Sequence, residues 1–243
     1  MKKNIYRIHF SSVDSTNNWA KANIHLLKQD QLTLVTADLQ TKGRGRFKRE
    51  WLSPFKQNLY VSFCFFVRKN QKDLSNIAQI LSLSGIKALK QFGFKAGLKW
   101  PNDILVFGKK IGGILCEVVC LEDRLCLIAG IGLNINMPEE TALKIDQPVT
   151  SLFIESGKEM ELDFVLEALT QSFVTDLELF LQKGFAPFFE EYNKYLIYSK
   201  GQALEFRERD HILKGNFHSI NRDGSMNLLM SSGLIKKIYS LEE

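Results

Sequence analysis

The sequence is poor in cysteine, and its few cysteines lack the spacing of a metal site. Cys64, Cys116, Cys120 and Cys126 include no CxxC pair, and no histidine cluster lies near them. A zinc site of the usual spacing is therefore excluded. All four lie within apolar runs, which is typical of small buried side chains in a protein of a reducing compartment. We expect four buried thiols and no metal ligands.

Long apolar runs are also absent. The N-terminus carries lysines but no apolar segment of a secretory signal. No run approaches the roughly 18–20 apolar residues of a membrane-spanning helix. These absences predict a cytoplasmic protein without a membrane partner.

Two groups of catalytic motif are missing. Neither GxxxxGK[ST] nor a GxGxxG that opens a helix after a strand occurs, so the phosphates of a nucleotide would be held by side chains. No Ser-His-Asp or Cys-His set can be assembled, because His9, His25, His211 and His218 lie apart from the strings described below. We therefore expect no covalent enzyme intermediate.

The elements that are present predict an α+β fold in two unequal domains. The 243 residues are 45% apolar, which allows one substantial core and a small second one. Strands are predicted at residues 5–10, 32–37, 59–67, 96–100, 111–121 and 124–136. Helices are predicted at residues 16–27, 73–92, 163–183 and 186–198. We expect a catalytic domain at residues 1–199, with a central mixed or antiparallel sheet and flanking helices.

The pattern of apolar and polar residues changes after residue 200. Short alternating runs occupy residues 203–207, 212–220, 225–230 and 234–240, and polar or glycine-containing turns separate them. This pattern predicts a small C-terminal β-barrel domain at residues 200–243.

Residues 40–51 form a strongly basic loop. Five cationic side chains lie between Lys42 and Arg49, and Gly43 and Gly45 allow the backbone to turn tightly. Arginine fits carboxylate or phosphate in a bidentate manner, so the loop is suited to anion binding. Much of the net charge of +5 lies here, which favours a local anionic ligand. A solvated surface loop and a nucleic-acid-binding module are the alternatives.

Two further strings can present polar groups at the edge of a sheet. Pro101 ends a strand and presents Asn102 and Asp103 at its tip, where the sheet fixes their positions. Lys110 stands before a strand that opens with Gly112 and Gly113, so its ammonium can project into a pocket. A plain turn and a solubilising lysine are the corresponding structural alternatives.

Glycines alternate along the last strand of the predicted sheet. Gly130 and Gly132 remove the side chains from one face of an apolar run that continues to Asn134. A flat ligand could lie on that face, with Asn134 bonding its polar end, although such glycines also mark close packing.

In this order the strings resemble the biotin protein ligase family, also called biotin-[acetyl-CoA-carboxylase] ligase. The matching residues are Ser15, Thr16, Asn17, Gln40, Thr41, Gly43, Arg44, Gly45, Arg46, Trp51, residues 99–103, Lys110, Gly113, Ile114, Gly130, Gly132 and Asn134. The resemblance implies that biotin and ATP give biotinyl-5′-AMP and pyrophosphate. A lysine of a biotin carboxyl carrier protein, a subunit of acetyl-CoA carboxylase, would then accept the biotinyl group. Mg²⁺ is expected with ATP, without a metal cage in the protein.

The resemblance also implies roles for individual residues. Catalysis would depend on Lys110, Asp103 and Arg44, with Asp103 helping to deprotonate the acceptor lysine. Biotin would be bound by Ser15, Thr16, Asn17, Gln40, Gly43, Arg44, Gly45, Arg46, Lys110 and Gly113. The nucleotide would be bound by Arg46, Arg49, Trp51, Lys99, Asn102 and Asn134.

Two residues depart from the family pattern. Lys42 stands where a small residue is common and Lys48 where glycine is frequent, so a positive φ at position 48 would strain the loop. The chain starts with the first catalytic strand, which implies a form without the DNA-binding domain of some members and without a DNA partner. The sequence leaves a homodimer open. A lipoate or octanoate protein ligase is the nearest competitor, but its arginine-glycine signature typically differs from residues 43–46.

Overall fold

A computed structural model describes residues 5–208 and 211–239 of the chain. The strands are β1 (Ile5–Phe10), β2 (Leu32–Ala37), β3 (Asn58–Arg68), β4 (Ala96–Lys99), β5 (Asp103–Val106), β6 (Lys109–Cys120), β7 (Arg124–Asn134), β8 (Ala203–Glu208), β9 (His211–Ile220), β10 (Met226–Leu229) and β11 (Ile235–Ile238). The helices are α1 (Thr16–Ala22), α2 (Ile77–Gln91), α3 (Glu139–Ala142), α4 (Leu152–Ser156), α5 (Leu162–Lys183) and α6 (Phe189–Tyr195).

A seven-stranded mixed sheet is the centre of the larger domain. Its strand order is β1-β2-β3-β7-β6-β5-β4. β1 and β2 pair in parallel, and the other neighbouring strands pair antiparallel. β3 and β7 are buried along most of their length, which is why they read as nearly continuous apolar runs. The predicted α+β class with a mixed central sheet and flanking helices is confirmed.

Helices α2 and α5 cover one face of the sheet and form the main core with it. A buried polar cluster joins the two helices. Asp176 on α5 accepts hydrogen bonds from Ser84 Oγ at 2.8 Å and from Lys87 Nζ at 2.7 Å, both on α2. The ammonium of Lys87 also lies 3.1 Å from Glu191 on α6. This cluster ties three helices together behind the sheet.

Helix α1 covers only part of the opposite face. Its Ala20 packs with Val35, Ile128 and the two buried cysteines Cys64 and Cys126 in a second, smaller core. The part of this face next to the start of α1 is lined by the glycines of β6 and β7, and it carries the cavity described below.

The C-terminal strands form a four-stranded antiparallel sheet in the order β11-β10-β9-β8. The predicted small β-barrel domain takes this form. The sheet docks through the Gly224 carbonyl, which accepts hydrogen bonds from Trp100 Nε1 and Gln79 Nε2, both at 2.9 Å. The Trp100 ring also meets the edge of the Phe206 ring, with 6.0 Å between centroids. Trp100 therefore fixes the small domain beside the strand tip at residues 101–103.

The structure corrects several expectations. β5 begins at Asp103, so residues 100–102 form a hairpin turn between β4 and β5, and that strand was not predicted. The first helix ends at Ala22, and a separate 3₁₀ turn follows at Ile24–Leu26. α3 and α4 are too short to show a helical period in the sequence. The end of the predicted strand 234–240 lies outside the described residues.

Burial of the cysteines is only partly as expected. Cys64 and Cys126 are buried, whereas Cys116 is partly exposed and Cys120 is exposed. Cys120 is the last residue of β6, where the strand leaves the core. Within residues 5–208 and 211–239, no helix is long and apolar enough to cross a membrane.

Candidate functional site

A cavity opens on the sheet face beside α1, beneath the basic loop. About 170 Å³ of it is accessible to water, several times the ~30 Å³ that one water molecule occupies in the liquid. Its walls come from the start of α1, the basic loop, the β4–β5 turn, β6, β7 and one residue of the C-terminal sheet. The cavity therefore gathers most of the unusual strings of the sequence in one place.

Glycines of β6 and β7 form the floor of the cavity. The paired residues Gly113 and Gly132 lie side by side, with Gly130 one step along the same face. The indole of Trp51 packs so closely on Gly132 that a Cβ there would overlap the ring. In the described part of the chain, the buried Trp51 Nε1 has no hydrogen-bond partner. The expected bare face is thus covered by Trp51, and a ligand would contact the indole.

Lys110 and Asp103 form an ion pair at the end of this floor. Lys110 Nζ lies 2.8 Å from Asp103 Oδ1, and each side chain is only about one-sixth exposed. The β5–β6 pairing passes from Ile104–Gly112 directly to Leu105–Lys110, so Ile111 is an extra residue on β6. Such a bulge changes which face the following side chains occupy, and it brings Lys110 to the side of Asp103. The ammonium also lies 5.5 Å from the centre of the Trp51 ring.

Backbone contacts fold the basic loop back on itself. Trp51 N donates to Gly43 O at 2.9 Å, and Gly45 N donates to Arg49 O at 2.7 Å. A Cβ at Gly43 would overlap the Trp51 carbonyl, so this close approach requires glycine. The positive φ in the loop, 56°, belongs to Phe47. The side chain of Lys48, where strain was expected, lies outside the described residues.

Two of the three loop arginines, Arg44 and Arg46, contact opposite sides of the cavity. Arg44 Nη1 donates to Asn18 Oδ1 on α1, and Arg44 Nη2 donates to Glu117 Oε1 on β6 at 3.0 Å. Arg46 Nη1 donates to Asn102 Oδ1 at 3.3 Å. The loop therefore spans the cavity from α1 to the β4–β5 turn, with a guanidinium at each end.

A polar corner lies at the start of α1. Gln40 Oε1 accepts from Thr16 N at 2.9 Å and from Thr16 Oγ1 at 3.3 Å, while Gln40 Nε2 donates to Ser53 Oγ at 3.0 Å. Beneath them, Ser62 Oγ donates to Asn17 Oδ1 at 2.5 Å. These groups offer a neutral ring of donors and acceptors, in contrast to the cationic loop.

The cysteines supply no nucleophile to this site. Burial raises the pKa of Cys116 to about 12 and that of Cys126 to about 11, and it holds the pKa of Cys64 well above its ordinary value. These groups are therefore thiols at neutral pH, and the thiolate is the reactive form. Among the residues that the structure describes, no group of three or more His, Cys, Asp or Glu side chains could hold a metal ion.

Most of the residues predicted for the site line the cavity. They are Ser15, Thr16, Asn17, Gln40, Arg44, Gly45, Arg46, Arg49, Trp51, Lys99, Asn102, Asp103, Lys110 and Gly113. Gly43 and Asn134 are absent from the lining formed by the described residues. Gly43 makes the loop contact noted above, and buried Asn134 donates to the Thr150 carbonyl at 3.0 Å. Their placement favours a supporting role over direct contact with a ligand.

Phe206, Gln147 and Glu117 lie at or beside the site and were not predicted from the sequence. Phe206 and Gln147 line the cavity from distant parts of the chain, and only the tertiary structure brings them there. Glu117 follows Gly113 and Leu115 at strand spacing, so the alternation of β6 could have placed it on the same face.

The mixed sheet, the neutral corner and the cationic loop define an α+β protein with a cavity suited to an anionic small molecule. Residues 9–134 match the model of the Biotin/lipoate A/B protein ligase family. The chain belongs to this family.

Two relatives and a solved structure illustrate the similarity. The chain is 32% identical over 219 residues to the bifunctional ligase/repressor BirA of Bacillus subtilis (strain 168), a match that covers 86% of this chain and 65% of that protein. It is 28% identical over 226 residues to BirA of Escherichia coli (strain K12), covering 92% and 69% respectively. The biotin protein ligase from Aquifex aeolicus, solved in complex with biotin and ATP, superposes with a TM-score of 0.80 at 30% identity, covering 98% of this chain and 97% of that one.

The chain spans about two thirds of the length of the BirA proteins, 65% for that of Bacillus subtilis.

Proposed function

We propose that this chain is an ATP-dependent ligase that activates biotin as biotinyl-5′-AMP and transfers the biotinyl group to a lysine of a biotin carboxyl carrier protein. The family includes lipoate ligases, so the choice of biotin needs its own support. The similarity to a ligase solved with biotin and ATP provides that support, together with the Gly43 to Arg46 string.

The observation that carries the proposal is the convergence of five cationic side chains on one cavity, three of which are assigned to the reacting groups. Arg44 and Arg46 approach from the basic loop, and Lys110 approaches from the sheet. Attack of a carboxylate on a triphosphate brings two anions together, so their repulsion is part of the barrier. Fixed cations in a site with little water lower that repulsion most, because their charge is only weakly screened.

The neutral part of biotin matches the neutral part of the cavity. Its ureido ring can exchange hydrogen bonds with Ser15, Thr16 and Gln40 in the polar corner. Its alkyl chain can lie against the apolar face of Trp51, toward Lys110. The carboxylate then lies near Lys110, and the nucleotide lies beyond it along Arg49, Lys99 and Asn102.

In the first step, an oxygen of the biotin carboxylate attacks the α-phosphorus of ATP. A bond forms between that oxygen and phosphorus, the bond to the leaving oxygen breaks, and pyrophosphate departs. Arg44, Arg46 and Lys110 stabilise the charge that develops on the phosphate oxygens. Mg²⁺ enters with ATP as part of the nucleotide substrate.

In the second step, the ε-amine of the carrier lysine attacks the carbonyl carbon of the mixed anhydride, and AMP leaves. A free lysine has a pKa of about 10.4, so its proton must be removed. Asp103 is the proposed acceptor. Its carboxylate is engaged by Lys110 at 2.8 Å, so movement of Lys110 toward the adenylate phosphate would release Asp103 for this task.

Incubation with radiolabelled biotin, Mg-ATP and a biotin carboxyl carrier domain tests the proposal. Label should appear on the carrier, and a carrier with its acceptor lysine changed to arginine should stay unlabelled. A parallel reaction with labelled lipoate tests substrate choice. Labelling by lipoate alone would refute biotin as the substrate, and labelling by neither acid would refute the ligase assignment.

A further inference from the structure

Glu117 lies just outside the cavity, on the face of β6 that forms its floor. It follows Gly113 and Leu115 at strand spacing, and its partner on β7 is Ile128. Its side chain is 14% exposed. The carboxylate is therefore held under the start of α1, beside the glycine floor.

The carboxylate receives hydrogen bonds from both the basic loop and α1. Arg44 Nη2 donates to Oε1 at 3.0 Å, and Asn17 Nδ2 donates to Oε2 at 3.1 Å. Lys21 Nζ approaches Oε1 at 3.4 Å from the exposed side of α1. Glu117 thus uses one oxygen for the loop and the other for a residue that lines the cavity.

These contacts fix the orientation of the Arg44 guanidinium. Asn18 Oδ1 accepts a hydrogen bond from Nη1 and Glu117 Oε1 accepts one from Nη2, so the planar guanidinium is held at two points. Burial alone would raise the pKa of Glu117, but the hydrogen bond from Asn17 and the charge of Arg44 outweigh it and bring the pKa below its ordinary value. Glu117 is therefore an anion at neutral pH, and its bond to Arg44 is charge-assisted.

We propose that Glu117 is a positioning residue that anchors the closed basic loop through Arg44 and so retains the adenylate in the cavity. The inference rests on the proposed function, because retention is meaningful only if the adenylate forms. The contact parallels that of Asp103 with Lys110, since in both pairs a carboxylate holds a cation that lines the cavity. Glu117 touches no reacting atom.

The test measures retention of the adenylate. Wild-type protein is loaded with labelled biotin and Mg-ATP, and release of biotinyl-5′-AMP is followed after a chase with unlabelled biotin. Glu117→Gln keeps the shape and the acceptor oxygen but removes the charge. We expect release to become about tenfold faster, the effect of losing one charge-assisted hydrogen bond.

Three comparisons separate positioning from a general loss of structure. Glu155→Gln is the matched control, because Glu155 is also 14% exposed but lies beside Lys109, away from the basic loop. This variant should leave the release rate of the adenylate unchanged. Glu117→Asp, which restores the charge, should recover part of the retention. Thermal unfolding of each variant, measured without ligand, should show the protein folded at the temperature of the release experiment.

A double-mutant cycle identifies the route of the effect. If Glu117 acts through Arg44, the combination of Arg44→Ala with Glu117→Gln should release the adenylate no faster than Arg44→Ala alone. Additive effects would overturn the positioning role, and so would unchanged release from Glu117→Gln. Failure of the wild type to form any adenylate would instead refute the proposed function.

Discussion

At the scale of single residues, the ion pair between Lys110 and Asp103 is the most informative contact. The ammonium of Lys110 and the carboxylate of Asp103 lie 2.8 Å apart, and both side chains are mostly buried. Each can act on a ligand only when the other finds a new partner. A phosphate anion near Lys110 supplies that partner, which links the two steps of the proposed reaction through one contact.

Substitution of Asp103 by asparagine tests this link. With Asp103→Asn, we expect transfer to the carrier to slow by roughly 100-fold, in the range of general-base effects, while biotin affinity changes little. Single-turnover measurements of adenylate formation and of transfer would separate the two steps. Asp123→Asn, at the exposed β6–β7 turn, is the matched control. A loss confined to biotin affinity would contradict the base role.

The cysteines give a prediction that is independent of function. Cys120 is exposed, whereas burial raises the pKa of Cys64, Cys116 and Cys126. A maleimide reagent at neutral pH should therefore modify one thiol rapidly in the native protein and four after denaturation, as counted by mass spectrometry. Cys120→Ser should abolish the rapid reaction, and rapid modification of a second thiol would contradict the raised pKa values of the other three.

At the scale of secondary-structure elements, the polar cluster between α2 and α5 supports the sheet from behind. Burial alone would lower the pKa of Lys87, but Asp176 and Glu191 outweigh it and raise the pKa above its ordinary value. A raised lysine pKa stabilises the fold below the ordinary pKa, and this stabilisation is lost as the pH rises through the raised value. The cluster therefore contributes at neutral pH and weakens only in strongly alkaline solution.

Asp176→Ala should destabilise the protein by roughly 1–3 kcal/mol, because it removes the buried acceptor of the Lys87 ammonium and the Ser84 hydroxyl. Lys87 keeps Glu191 as a partner, and Ser84 keeps the Ile80 carbonyl. Urea unfolding monitored by circular dichroism measures the change. Glu191→Ala removes a more exposed partner of the same lysine, and we expect a loss below about 1 kcal/mol. Equal losses for the two variants would show that burial of Asp176 is unimportant.

The sequence predicts the long elements well and the short ones poorly. Strands β3 and β7 and helices α2 and α5 carry enough residues for their pattern to be recognised. β5 has only four residues, and α3 and α4 have four and five. These elements are too short to show the two-residue period of a strand or the 3.6-residue period of a helix. The residues at which helices and strands begin and end depend on tertiary contacts, which the sequence does not show.

In the site too, residues in local sequence motifs could be predicted, whereas contacts that depend on the tertiary structure could not. Arg44, Lys110 and Asp103 belong to local strings, so a resemblance confined to the sequence can find them. The extra residue Ile111, which brings Lys110 to Asp103, is hinted at only by the adjacent Gly112 and Gly113. Trp51 lying on Gly132 depends on how the basic loop folds back, and alternation in one strand cannot reveal it.

At the scale of the whole molecule, the small C-terminal sheet contributes to the cavity. Phe206 lines the wall, and its ring contacts Trp100, which in turn bonds Gly224. The two domains therefore share one site, although the boundary at residues 199 and 200 remains a prediction from the sequence.

Phe206→Ala should weaken nucleotide binding more than biotin binding, because Phe206 lies near the β4–β5 turn at the proposed nucleotide end. We expect the KM for ATP to rise by roughly threefold to tenfold, in line with the loss of one aromatic contact of about 0.5–1.5 kcal/mol. Steady-state transfer assays at varied ATP and varied biotin would measure this. Tyr239→Ala changes an exposed aromatic residue after β11 and should leave both KM values unchanged. An unchanged KM for ATP in Phe206→Ala would contradict the nucleotide assignment.

The packing of Trp51 on Gly132 also gives the molecule an optical probe of its own. Its three tryptophans lie in separate places: Trp19 on α1 beside Phe10, Trp100 at the domain contact, and Trp51 beneath the Lys110 ammonium. With Trp19 and Trp100 replaced by phenylalanine, the remaining emission would come from the cavity floor alone. Its wavelength and quenching would then follow ligand arrival and departure in real time, without an added dye.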